Sequence, residues 1–149
     1  MFDLKSDLNL CNRFEVTAAT AIADAAARQG SWVTLAGALS AADNGRGAFM
    51  VWSESKRDGT AGWTPDVVDT GQVTVLSGYF IGYTTQFDNT DAIAVGDLLV
   101  ADADGKLIKA TSAADATDNQ ATAVALALGV AADHKYVGGT YSSIKIMSL

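Results

Sequence analysis

Residues 95–111 read VGDLLVADADGKLIKAT, and this stretch decides the fold class of the chain. Leu98 and Val100 alternate with their neighbours before an acidic turn that ends in glycine, and Leu107 resumes the apolar pattern after it. Aspartate and glycine at 102, 104 and 105 supply the residues that tight turns between strands require. The stretch therefore predicts a β-hairpin, and a β-protein around it.

The same Asp-x-Asp-Gly turn is also half of a calcium loop, because hard cations bind several oxygen ligands and glycine permits the tight bend. The second half is missing, since Lys106 and Lys109 follow the turn where a calcium loop places a glutamate. A tight turn is the favoured interpretation and a metal site the alternative. His134 and Cys11 are the only histidine and cysteine, which leaves no set of zinc ligands. We expect no metal and no cofactor.

Turn residues recur at short intervals along the whole chain, which is typical of an all-β protein. The stretches between these turns predict strands at 32–35, 48–53, 73–83, 98–101, 106–110, 123–131 and 141–147. Seven short strands favour a small β-barrel or β-sandwich. Residues 15–30 fit either a short helix or a strand followed by a turn, and the β surroundings favour the strand. Residues 54–72 predict a long loop anchored by Trp63.

The first fourteen residues predict an extended N-terminal arm, followed by a single β domain over residues 15–149. Apolar and polar side chains alternate along the arm, with one side carrying Phe2, Leu4, Leu8, Leu10 and Phe14. Two interpretations stay open. The arm is either the ordinary first strand of the domain, or a segment that adds its apolar edge to a neighbouring subunit.

Composition limits the classes of function. A chain of 149 residues with 49% hydrophobic and 18% charged residues suits one domain with a buried core. The net charge of −7 argues against a nucleic-acid surface. The start of the sequence lacks the pattern of a signal peptide, and the apolar run at 121–132 is too short to span a bilayer. We therefore expect a soluble protein made in the cytoplasm that binds neither nucleic acid nor membrane.

Residues that could carry catalysis are few. His134 lies in AADHKYVGG, a polar stretch that predicts a solvated loop. The carboxylate pairs at 66 and 69 and at 115 and 118 lie in polar loops without an apolar wall to raise one pKa. We therefore expect no enzyme activity. A small hydrolase that uses His134 or loop carboxylates is a distant alternative.

The strand predicted at 73–83, VTVLSGYFIGY, carries large apolar groups on both faces. Such a strand lies either in the centre of a sheet or at a subunit boundary, which makes Tyr79 and Tyr83 candidate interface residues. Aromatic side chains also suggest a different class of function, a sugar-binding platform in which rings stack on glycans. The candidates for that platform are Trp52, Trp63, Tyr79, Tyr83, Tyr136 and Tyr141.

Three segments together resemble the head decoration or cement proteins of tailed bacteriophages: TGQVTVLSGYFIGYTTQFD at 70–88, AVGDLLVADADGKLIKA at 94–110 and ATAVALALGVA at 121–131. The resemblance covers roughly residues 70–132, about two fifths of the chain. It implies a β-barrel or β-sandwich that forms a dimer or trimer, binds the major capsid protein on the outer surface of the virion and performs no chemistry. The arm, the long loop and the strand at 73–83 supply the expected interface residues, which are Phe2, Leu4, Leu8, Leu10, Phe14, Trp63, Tyr79 and Tyr83.

Overall fold

The computed structural model describes residues 2–6, 11–17, 30–34, 48–54, 72–102, 104–110, 122–136 and 139–149. These residues form eleven strands and no helix, so the predicted all-β class is confirmed. In chain order the strands are β1 (Phe2–Leu4), β2 (Cys11–Thr17), β3 (Trp32–Thr34), β4 (Ala48–Glu54), β5 (Gln72–Gly78), β6 (Ile81–Thr84), β7 (Leu98–Ala101), β8 (Leu107–Lys109), β9 (Ala125–Ala127), β10 (Ala132–Tyr136) and β11 (Gly139–Ser148).

The strands form two antiparallel sheets. The larger sheet has seven strands in the order β1-β6-β11-β9-β7-β8, with β10 paired to β11 beside this path. The smaller sheet has four strands in the order β2-β5-β4-β3. Both sheets are open, with β1 and β8 at the edges of the larger and β2 and β3 at the edges of the smaller. The arrangement is sandwich-like and is not a closed barrel.

The hairpin predicted at 95–111 is present as β7 and β8, which pair through Val100 with Ile108 and through Ala101 with Leu107. Its turn is held by the carboxylate of Asp102, whose Oδ1 accepts hydrogen bonds from the backbone N–H groups of Asp104 at 2.9 Å and Lys106 at 2.8 Å. The aspartate in the motif therefore organises the turn itself, as it does in an Asx-turn.

The faces of the smaller sheet bury two separate apolar clusters. Leu76 belongs to the main core, where Trp32 and Met50 of its own sheet meet residues of the larger sheet such as Ile144 and Ile146. The next residue back along β5, Val75, points to the opposite face. There it belongs to a second cluster, whose buried members are Val16, Val33, Val51 and Val75. The prediction that this strand is apolar on both faces is confirmed.

The prediction of one strand over 73–83 is wrong at its centre. Strand β5 ends at Gly78, which has a φ of 90°, and β6 begins at Ile81 in the other sheet. The hydroxyl of Ser148 stabilises this crossing, because it accepts a hydrogen bond from the N–H of Phe80 at 2.8 Å and donates one to the carbonyl of Gly78 at 2.6 Å. The segment thus links the two sheets instead of crossing one of them.

Other predicted elements also differ from the structure. Within the predicted strand at 123–131 only Ala125–Ala127 is a strand, and the predicted loop around His134 is strand β10. Residues 15–17 continue β2, so the start of the ambiguous segment at 15–30 is extended. Of the loop predicted at 54–72, Glu54 ends β4 and Gln72 begins β5. Residues 18–29 and 55–71 lie outside the described residues. The described residues contain no helix with the length and hydrophobicity needed to span a membrane.

Candidate functional site

Phe2 and Leu4, predicted as interface residues of an arm, lie in the chain's own core. Strand β1 pairs with β6, and Phe2 is 1% exposed with its ring edge against Phe80 at a centroid distance of 5.7 Å. Leu4 is half-buried and packs on the same cluster. This is the pairing that an ordinary first strand makes, and it leaves these two side chains covered by the chain itself.

The remaining predicted interface residues are spread over the molecule. Phe14 is half-buried in the second cluster and packs edge-on against Phe49. Tyr79 is 69% exposed at the crossing between β5 and β6. Tyr83 lies on the larger sheet. Leu8, Leu10 and Trp63 lie outside the described residues.

A cluster of aromatic and charged side chains surrounds Tyr83. The register aligns Asp3 of β1, Tyr83 of β6 and Lys145 of β11 across three neighbouring strands, so their side chains share one face of the larger sheet. The alternate residues Phe2 and Ile144 point into the core, which makes this the outer face. We name as the outer-sheet patch the side chains of Asp3, Lys5, Tyr83, His134, Tyr141 and Lys145.

His134 was expected in a solvated loop, and this expectation is wrong. It lies in β10, half-buried, with Nε2 2.7 Å from Oδ2 of Asp3. Its ring stacks on that of Tyr83 with a centroid distance of 3.9 Å and an interplanar angle of 4°. The sequence does carry a signal for this strand, since His134 and Tyr136 alternate ahead of a Gly-Gly turn and Tyr141 follows it.

The carboxylate of Asp3 is the electrostatic centre of the patch. Its Oδ2 lies 2.7 Å from Nζ of Lys5 and 2.7 Å from Nε2 of His134. Desolvation by burial acts to raise the pKa of Asp3, but hydrogen bonds from Lys5 and His134 outweigh it, so the pKa lies below its ordinary value. The hydrogen bond to Asp3 in turn raises the pKa of Lys5. This carboxylate therefore remains ionised and ties β1 to β10.

Two further residues extend the patch toward solvent. The ammonium group of Lys145 lies 5.8 Å from the centre of the Tyr83 ring, within the range of a cation–π contact. Tyr141 is 37% exposed, and its ring lies 3.4 Å from where a Cβ on Gly139 would stand, so the ring lies over the glycine of its own strand. The patch thus presents tyrosine rings on a sheet face, and tyrosine is enriched in protein interfaces.

The described residues contain no group of three or more histidine, cysteine, aspartate or glutamate side chains placed to hold a metal ion. No protein-family model matches the chain, and no curated protein or solved structure is significantly similar to it.

Proposed function

We propose that this chain is a structural virion protein that decorates and stabilises a bacteriophage capsid, with the outer-sheet patch as its docking surface on the major capsid protein. The observation that carries the proposal is the patch itself, where the Tyr83 ring stacks on His134 and contacts Lys145, and where the exposed Tyr141 lies opposite His134 on the neighbouring strand. Tyrosine is among the side chains that are enriched in protein interfaces and in their energetic hot spots. The resemblance over residues 70–132 supports the same role.

The local charge of the patch supports docking on an acidic or polar surface. The patch carries two lysines, Lys5 beside Asp3 and Lys145 beside the Tyr83 ring, and the single carboxylate of Asp3, whereas the whole chain has a net charge of −7. A basic region on an acidic protein orients the approach to a partner and suppresses wrong pairings. On this proposal copies of the chain also contact one another on the particle as a dimer or trimer.

A carbohydrate-binding module is the second candidate function, favoured by the exposure of Tyr141. One face of the Tyr83 ring already stacks on His134, so that face has no room for a sugar. Among the patch residues, Tyr141 is the exposed tyrosine on which a sugar ring could stack. A glycan array separates the two candidates, because a capsid-docking patch gives no saturable signal with any sugar.

The test of the decoration role is the heat stability of capsids with and without the chain. Particles lacking it should release DNA, detected with an intercalating dye, at a lower temperature than wild-type particles. Added purified chain should restore the release temperature, and a Tyr141→Ser, Lys145→Glu double variant should fail to do so. Val95→Ser is the matched control, since Val95 is 68% exposed and lies outside the patch. Release temperatures that do not depend on the chain would refute the proposal.

A further inference from the structure

Strand β10 and the first half of β11 form a hairpin that extends beyond the rest of the larger sheet. β10 pairs with residues 139–143 of β11, whereas β6 and β9 pair with residues 144–148. We name residues 132–136 and 139–143 the distal hairpin. None of its described residues belongs to either hydrophobic core cluster. Burial in the core therefore does not hold the distal hairpin in place.

The distal hairpin is folded back over the outer face of the sheet. β9 and β10 follow one another along one edge of β11 and β6 lies along the other edge, so β10 and β6 are two strand spacings apart, about 10 Å. His134 is level with Tyr141 and Tyr83 with Lys145, which adds about 13 Å along β11. In a flat sheet the two residues would be about 16 Å apart, yet their rings stack at 3.9 Å. Side chains stand roughly perpendicular to a sheet, so a bend must bring the two rings together.

The bend has its cause in the pairing register. From Ala127 to Ala132 the chain advances five residues, whereas β11 advances three between their partners, Ile146 and Ser143. The two extra residues form a bulge, and a bulge bends the strand that carries it. Hinges are commonly a few residues at the end of an element that absorb changes of the backbone angles. Residues 128–131, which lie between β9 and β10, are therefore the place where the distal hairpin changes its angle.

His134 holds the distal hairpin against the sheet. Its Nε2 lies 2.7 Å from Oδ2 of Asp3, and its ring covers one face of the Tyr83 ring. The contact lies near the surface, since the side chain of His134 is 19% exposed and that of Lys5, which binds the same carboxylate oxygen, is 46% exposed. Ion pairs between partly exposed side chains contribute little to stability. A modest free energy thus separates the closed hairpin from an open one.

The closed position also carries a cost at Ser143. This residue pairs with Ala132 at the base of the distal hairpin, and it lies two residues before Lys145, on the outer face. It is nevertheless 2% exposed, and its hydroxyl has no hydrogen-bond partner. A buried hydroxyl without a partner costs free energy, and this cost disappears when water reaches the group. Moving the hairpin off the outer face therefore offsets part of the free energy of the lost His134 contact.

We propose that the distal hairpin is a lid on the outer-sheet patch, which opens at residues 128–131 and separates His134 from Asp3 and Tyr83. Opening uncovers the second face of the Tyr83 ring and the Asp3 carboxylate, so the access of any partner to these two groups depends on the lid. The lid is a property of the free chain and does not depend on the decoration role.

The test labels a thiol at position 143 of the full chain. Cys11→Ser removes the native thiol, and Ser143→Cys places one where the hydroxyl has no hydrogen bond to lose. An opening lid exposes this thiol without unfolding the sheet. Labelling with iodoacetamide at neutral pH should therefore be at least about tenfold faster than global unfolding allows, and it should change little in dilute urea. His134→Ala should speed the labelling about tenfold further, the effect of losing one charge-assisted hydrogen bond.

Two variants are the controls. Ser148→Cys in the same background is equally buried on β11 but lies outside the distal hairpin, so its thiol should react through global unfolding alone, with the full urea dependence. Lys135→Ala removes an exposed side chain of β10 and should leave the labelling at position 143 unchanged. Amide exchange separates an opening lid from an unravelling hairpin, because the hydrogen bonds between β10 and β11 persist when the hairpin moves as a unit. His134→Ala should therefore leave the exchange of these amides unchanged.

Three results would overturn the proposal. Labelling at position 143 with the urea dependence found at position 148 would show that the hairpin moves only when the whole chain unfolds. A labelling rate that His134→Ala does not change would show that His134 does not close the lid. Equal acceleration of labelling and of amide exchange by His134→Ala would show that the hairpin unravels instead of opening as a unit.

Discussion

Ser143 and Ser148 of β11 are equally buried, each 2% exposed, yet their hydroxyl groups have opposite roles. Ser148 bonds to Phe80 N–H and to the carbonyl of Gly78, whereas the Ser143 hydroxyl has no hydrogen-bond partner. Removing a hydroxyl that accepts a hydrogen bond from a buried backbone N–H leaves that N–H unpaired, which lowers the free energy of unfolding. Removing an unpaired hydroxyl leaves no such group behind.

We therefore expect Ser148→Ala to lower the free energy of unfolding by about 1–3 kcal/mol. Ser143→Ala, the matched control, should leave the free energy of unfolding unchanged or raise it slightly. Urea denaturation at neutral pH measures both. Equal losses in the two variants would show that burial of the serine, and not its hydrogen bonding, determines the effect.

Asp3 makes the stability of the fold depend on pH. Its pKa in the folded chain lies below the ordinary value of 3.8, because hydrogen bonds from Lys5 and His134 outweigh the opposing effect of desolvation. A carboxylate with a lowered folded pKa stabilises the fold fully above its unfolded pKa and loses this contribution as the pH falls through the folded pKa. The contribution is therefore present at neutral pH and fades in acid below about pH 4.

Asp3→Asn should consequently lower the free energy of unfolding by about 1–2 kcal/mol at pH 7, since the half-exposed Lys5 limits the strength of the interaction. The difference in the free energy of unfolding between variant and wild type should become smaller as the pH falls to about 2. Urea midpoints at both pH values measure it, with Asp133→Asn, an exposed acid of β10, as the control. A gap that is unchanged at low pH would contradict a role for the Asp3 charge.

Strand β1 pairs with β6 over three residues and approaches it most closely at Gly82. A Cβ added to Gly82 would lie 2.6 Å from Cε2 of Phe2 and 2.8 Å from the carbonyl oxygen of Asp3. The carbonyl is backbone and cannot move aside unless the strand does, so an added methyl group displaces β1.

Gly82→Ala should therefore cost about 1–3 kcal/mol of stability and speed hydrogen exchange of the amides in β1. Gly129→Ala is a matched control, since its Cβ would meet the nearest atom, Cβ of Lys145, at an ordinary 3.5 Å. Denaturation and native-state exchange measure both variants. If the Gly82 variant kept the exchange rates of the wild type, β1 would not depend on this close approach.

Elements defined by local chemistry could be predicted from the sequence. The hairpin of β7 and β8 was predicted because Asp102 and Gly105 organise its turn from within the motif. The break between β5 and β6 could not be predicted in this way, because it depends on Ser148, which lies 68 residues from Phe80 in the chain. The patch depends on a contact between His134 and Asp3 across 131 residues. Alternation can place each of these residues in a strand, but it does not determine which strands meet.

The two sheets of the molecule both contribute side chains to the main hydrophobic core. Trp32, Met50 and Leu76 of the smaller sheet belong to the same cluster as Ile146 of the larger sheet. Phe80, which directly precedes β6 of the larger sheet, belongs to it as well. Among the described residues, the second cluster contains side chains of the smaller sheet alone, and its buried members are four valines. Burial of one valine contributes about 1.5–3 kcal/mol. The burial of four valines is therefore smaller than the conformational entropy cost of ordering four strands.

The chain should therefore unfold in one transition, and two neighbouring residues of β5 test this. Leu76→Ala opens the shared core and should cost about 2–5 kcal/mol, whereas Val75→Ala affects only the second cluster and should cost less. In both variants tryptophan fluorescence and far-UV circular dichroism should shift together, because neither sheet retains a core without the other. If Val75→Ala instead separated the two probes, with amides of β4 and β5 exchanging well before those of β9 and β11, the smaller sheet would be an independent folding unit.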